Sequence, residues 1–140
     1  MILQLVFALA VASLTVIVHA IGTVRIVMPL ADARGRWEGQ LTSSRTVVML
    51  TRLVGGLLIL HLLEMAVWAV AIRALDVMPT FEASLYYSLE SYTTVGYGDV
   101  TPREAWRLVG PIESAVGILM FGWSTGIIVA VLERIYSARS

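Results

Sequence analysis

Between Thr93 and Asp99 the sequence reads Thr-Thr-Val-Gly-Tyr-Gly-Asp, with Gly96 and Gly98 on either side of Tyr97. Glycine takes left-handed backbone dihedrals at little steric cost. Glycines at alternate positions can therefore turn successive carbonyls toward one axis, which residues bearing a Cβ resist. A row of carbonyl oxygens does one kind of chemistry well: it replaces the water shell of a dehydrated monovalent cation. Other reactive groups stand in apolar surroundings. His61 and Glu64 fall three apart on one face of an apolar run, Glu113 lies in another, and His19 lies near the end of a third. Ionisable residues inside a membrane are functional suspects by default, as proton relays or pH sensors. The plainer reading is neutral side chains hydrogen-bonded between helices or to Ser88, Ser91 and Tyr92. His61 and Glu64 alone are too few for a metal site. No Ser-His-Asp or phosphate-loop pattern points to catalysis.

These residues sit in a chain of 140 residues that is 58% hydrophobic and 14% charged, against about 25% charged in an ordinary soluble domain. Lipid must therefore be the solvent for much of its surface. All ten positive charges are arginines and ten acids balance them, so no basic patch recruits nucleic acid. With no cysteine there is no disulfide framework. Three apolar stretches, about 2–24, 47–72 and 108–132, are long enough to cross a hydrocarbon core, which takes roughly 20 helical residues. The expectation is an all-α membrane protein with three transmembrane helices and a re-entrant pore helix. Its parts are an N-terminal helix over 1–28, a polar cytoplasmic loop over 29–46, and a pore unit over 47–137. Within that unit an outer helix covers 47–73, a short pore helix 81–93 and an inner helix 106–134. Thr80 after Pro79 suits an N-cap, and Glu82 suits the first turn of the short helix. At about 13 residues that helix is too short to span.

The first stretch carries no Arg or Lys before Arg25 and is too long for the apolar core of a signal peptide, so a retained helix is expected. Seven arginines (25, 34, 36, 45, 52, 134 and 139) flank the first loop and the tail. Three (73, 103 and 107) flank the segment with the glycines. Positive charge collects on the cytoplasmic side, which places the N-terminus and the glycine segment outside and the C-terminus inside.

Thr93 to Asp99, following a short helix and lying between two spans, resembles the signature of potassium channels. The similarity to the simple two-helix bacterial pore domain extends over roughly 47–132, with the first span additional to it. The resemblance implies a selectivity filter, Thr94, Val95, Gly96, Tyr97 and Gly98, with K+ held by carbonyls of Thr94, Val95, Gly96 and Tyr97 and by the Thr94 hydroxyl. It implies a homotetramer, since one chain supplies one of four filter strands, and no organic cofactor. Tyr97 would pack its ring behind the filter, against the aromatics of the short helix. Tyr86 and Tyr87 stand where some relatives carry tryptophans. Glu90 and Asp99 would support the filter from behind by sharing a proton, or Glu90 would make an ordinary buried hydrogen bond. Gly117 occupies the usual hinge position of the inner helix, with close helix packing as the alternative role. Gly122 and Gly126 are expected to serve packing. Ile118, Phe121, Thr125 and Val129 would face the cavity, with Val129 and Glu133 near the inner constriction.

The function implied is passive potassium conduction in a membrane, a bacterial inner membrane by the same resemblance. Competing readings are a cation channel of relaxed selectivity and a non-conducting scaffold that keeps the pore architecture. Arg45 and Arg52 are isolated, so no voltage-sensing row of arginines is present.

Overall fold

The computed structural model describes the backbone of residues 2–35 and 43–137, and the side chains of 2–29 and 43–137. Four α-helices occur in the order α1 (Ile2–Gly35), α2 (Ser43–Ala74), α3 (Phe81–Tyr92) and α4 (Val109–Ser137). A 3-10 turn at Glu104–Trp106 precedes α4. The described residues contain no strand, and α1, α2 and α4 carry segments long and apolar enough to cross a membrane. The fold is that of an all-α membrane protein. At 12 residues α3 is roughly 18 Å long and cannot cross.

The helices bury stripes that recur at helical spacing. In α2 the stripe is Met49, Leu53, Leu57, Leu60, Glu64, Trp68 and Ile72, in steps of three and four. In α1 it is Gln4, Ala8, Val11, Thr15 and His19, smaller and more polar. Small residues let helices approach closely in lipid, where no hydrophobic drive separates helix from tail. Gly22 continues the α1 stripe, and a methyl added there would overlap the Leu60 side chain. Near the glycine segment Met65, Trp68 and Ile72 meet Ala8, Val11, Tyr87, Tyr92, Val109, Val116 and Met120. At the other end Leu53, Leu57 and Leu60 pack with Val18, Ile26, Ile127 and Val131. The N-terminal helix is thus seated on the pore unit along its length. Phe7 meets Trp106 edge-on at 5.6 Å, and the Gln4 side chain accepts a hydrogen bond from the Leu108 amide at 3.2 Å.

Several boundaries differ from the sequence expectation. The loop expected over 29–46 is narrower, because α1 passes through Pro29 to Gly35 and α2 starts at Ser43. Proline removes one donor and one helical hydrogen bond, but the Leu-Ala-Asp-Ala run after it favours continued helix. Residues 36–42 of that loop lie outside the described residues. At the far end, the expected start of the inner helix at 106 is a 3-10 turn, and α4 begins at Val109. It then continues past 134 to Ser137.

Gly117 lies where α4 crosses the C-terminal end of α3. A Cβ there would overlap the Tyr92 carbonyl oxygen, which is backbone and cannot swing away. Gly117→Ala is expected to destabilise the protein by about 1–3 kcal/mol through overpacking. Gly55→Ala, where an added Cβ meets nothing within 4 Å, serves as the control. Thermal unfolding in detergent reads the difference: a lower midpoint for Gly117→Ala alone is expected, and equal midpoints would contradict this packing.

Candidate functional site: the pore loop and the buried cluster behind it

Thr80 caps α3 as its position suggested, its hydroxyl accepting from the Ala83 amide at 3.1 Å. The helix ends at Tyr92 with Thr93 as its C-cap. Beyond it, Thr94, Gly96 and Gly98 have φ of +63°, +56° and +74°, while Val95 and Tyr97 between them do not take positive φ. In an extended strand successive carbonyls point to opposite sides; a left-handed residue at every second position cancels that reversal. The amides are tied back to the pore helix: Thr94 N–H donates to the Ser91 carbonyl at 3.0 Å and Gly96 N–H to the Glu90 carbonyl at 3.2 Å. No hydrogen bond among the described residues ends on a carbonyl from Thr94 to Gly98. The loop therefore turns two of its donors, at Thr94 and Gly96, inward and leaves its acceptors free of the protein. Thr94 is the residue whose left-handed geometry the glycine pattern did not reveal.

The groups around the loop are placed less as expected. Tyr86 Oη donates to the Asp99 carboxylate, 3.0 Å from Oδ2. Glu90 is buried, and its Oε2 has no partner among the described residues. No hydrogen bond joins Glu90 to Asp99, so the carboxyl pair expected behind the filter is not brought together within one chain. Tyr87 is buried against α4, where a Cβ at Gly110 would overlap its hydroxyl. Tyr97 departs most: its ring is 76% exposed and stacks on no aromatic of α3. Within one chain the packing expected against the aromatics of the short helix is not made.

On α4, Ile118, Phe121, Thr125, Val129 and Glu133 all lie on the face that the chain leaves uncovered. Phe121 is only partly so, because its ring lies 4.4 Å from that of His61 and meets Tyr92 edge-on at 5.5 Å. Gly117 serves close packing, with α4 unbroken through it. Gly122 and Gly126, expected to pack, have nothing within 4 Å of an added Cβ inside the chain.

The intramembrane ionisable residues assemble into two sites. Glu113 accepts from Ser88 Oγ at 2.5 Å, and Ser88 also lies 2.8 Å from the Met65 carbonyl. The second site adds a residue from the first helix, and its contacts bear out the expectation of hydrogen bonds between helices and to Tyr92. His19 Nδ1 lies 2.8 Å from Glu64 Oε1, and His61 Nδ1 lies 3.2 Å from Glu64 Oε2. Tyr92 Oη donates to the same Oε2. His61 Nε2 is 3.0 Å from Ser124 Oγ. Five side chains from all four helices thus converge at the end of α3. The α1 stripe, read from Gln4 in helical steps to His19, was the available signal.

A family model described as an ion channel matches residues 47–134. Over 55 residues, 39% of the chain, the sequence is 38% identical to the A-type voltage-gated potassium channel KCND3 of Rattus norvegicus. The same identity and coverage hold for the Homo sapiens and Oryctolagus cuniculus proteins of that name. The aligned stretch spans 8% of the length of these relatives. No solved structure matches significantly. With its model match covering well over half of the residues and three helices suited to the bilayer, the chain is a multi-pass integral membrane protein that belongs to the ion channel family.

Proposed function

We propose that this chain is one subunit of a homotetrameric potassium channel, in which Thr94 to Gly98 line a fourfold axis and hold K+ in file. The observation that carries the reading is the row of alternating left-handed residues whose carbonyls accept nothing from the protein. Non-helical backbone at membrane depth is tolerated only where protein buries it or where it lines an aqueous path. One chain leaves Val95 and Tyr97 52% and 76% exposed, so other copies must supply the cover. Four strands around an axis offer the rings of carbonyls that replace an ion's hydration. The relatives are named as potassium channels, which agrees with this choice of ion.

The remaining parts follow. The C-terminal end of α3 presents partial negative charge toward a cavity below the filter, and Ile118, Phe121, Thr125 and Val129 form its wall, with Glu133 nearer the inner mouth. Asp99, held by Tyr86, steadies the outer end of the filter. Glu90 anchors the loop through its backbone carbonyl. The N-terminus and filter mouth face outward, with the C-terminus cytoplasmic.

Potassium-driven flux in proteoliposomes, with sodium as control, tests the assignment. Flux is expected with potassium and not with sodium. Gly96→Ala should abolish it, since an L-residue held left-handed costs about 1–2 kcal/mol per copy. Equal flux of both ions would instead mean a non-selective cation pore, and none at any pH would favour a scaffold. A second prediction concerns filter support. Tyr86→Phe and Asp99→Asn should each shorten sustained currents, and the double variant should do no more than either alone. Additive effects would show that the Tyr86–Asp99 contact is not the supporting one.

A further inference from the structure

We propose that His19, His61 and Glu64 form a binding site for one divalent transition-metal ion of the zinc class, set between α1 and α2 behind the pore loop. Two imidazoles and a carboxylate are the donor set of open three-ligand zinc sites. Here one ligand atom from each falls within 4.8 Å of the others. Around an ion with bonds of about 2.0–2.1 Å, tetrahedral ligand atoms stand roughly 3.3 Å apart. The separations of 2.8 and 3.2 Å between the histidine Nδ1 atoms and the two Glu64 oxygens need only small side-chain adjustments to reach that spacing. All three residues are 4% exposed or less, so a bound ion would be shielded from competing water.

Two further observations favour a ligand. His61 Nε2 lies 3.0 Å from Ser124 Oγ. When Nε2–H donates to that hydroxyl, the lone pair stays on Nδ1, the nitrogen facing Glu64; outer partners commonly orient ligating histidines in this way. Tyr92 Oη, 3.3 Å from His61 Nδ1, stands where a fourth ligand or its hydrogen-bond partner belongs. Electrostatics agree, because Glu64 supplies a negative charge and the site adjoins the C-terminal, negative end of α3. Phe121, a residue 37% exposed on the uncovered face of α4, lays its ring against that of His61 and so stands between the site and that face.

The chain has only two histidines, so in tag-free protein every imidazole ligand comes from this site. Zn2+ binding to the full chain in detergent is measured by equilibrium dialysis, with Co2+ as the spectroscopic probe. One saturable ion per chain is expected, with the visible absorption of low-coordinate Co2+. His19→Gln and Glu64→Gln should each weaken binding by at least the 10–100-fold that loss of an outer-shell partner typically costs. Ser124→Ala, which keeps every ligand, should weaken it about tenfold. Because the first two variants also remove buried hydrogen bonds, X-ray absorption of the Zn2+-loaded wild type gives a readout that needs no variant. Imidazole nitrogens at about 2.0–2.1 Å are expected. An all-oxygen shell, the absence of saturable binding, or equal affinity in folded variants would each overturn the proposal.

Discussion

A peptide group that leaves the helix inside a bilayer must find a partner or cost several kcal/mol, and the arrangement of the other elements depends on how the segment after Tyr92 meets that demand. The amides of Thr94 and Gly96 turn back onto the Ser91 and Glu90 carbonyls, so the last turn of α3 satisfies those two donors. Thr94, Gly96 and Gly98 take left-handed geometry, and no hydrogen bond among the described residues uses a carbonyl from Thr94 to Gly98. A cation is the natural partner for such a row. The short helix sets where the loop begins, because α3 packs against α2 and α4 and ends at Tyr92.

Holding α3 in place is largely the work of polar contacts inside an apolar bundle. Glu64 is fully buried, and a lone buried carboxylate would be prohibitively costly. It is accompanied by His19, His61 and Tyr92, which brings α1, α2 and α3 to one point. Ser124 extends the same network to α4, and Gly117 lets that helix approach the Tyr92 carbonyl. The N-terminal helix is therefore tied to the residue that immediately precedes the pore loop.

Much of this could be read from residue order. The spans follow from apolar length, the short helix from Thr80 and Glu82, and the loop from glycines at alternate positions. Local signals of that kind depend on neighbours a few residues away. What resisted reading depends on helix register across the bundle. His19 and Glu64 are 45 residues apart, and only the packing of α1 on α2 brings them together. The same holds for Phe121, whose ring turns toward His61 rather than wholly toward a cavity. The polar content after Pro29 suggested a loop, whereas α1 continues through it to Gly35. Tyr97 and Glu90 are different again: Tyr97 is exposed rather than packed on the aromatics of α3, and Glu90 Oε2 has no partner among the described residues while Asp99 is held by Tyr86.

The claim that most needs testing is that free carbonyls from Thr94 to Tyr97 coordinate dehydrated monovalent cations on a fourfold axis. Diffraction from crystals of the intact assembly grown in Tl+, an anomalous-scattering substitute for K+, examines it directly. The account predicts four chains around the axis, with a file of anomalous peaks lying between successive rings of those carbonyls. A different assembly symmetry, or Tl+ found only in the water-filled regions with none between the carbonyls, would contradict it.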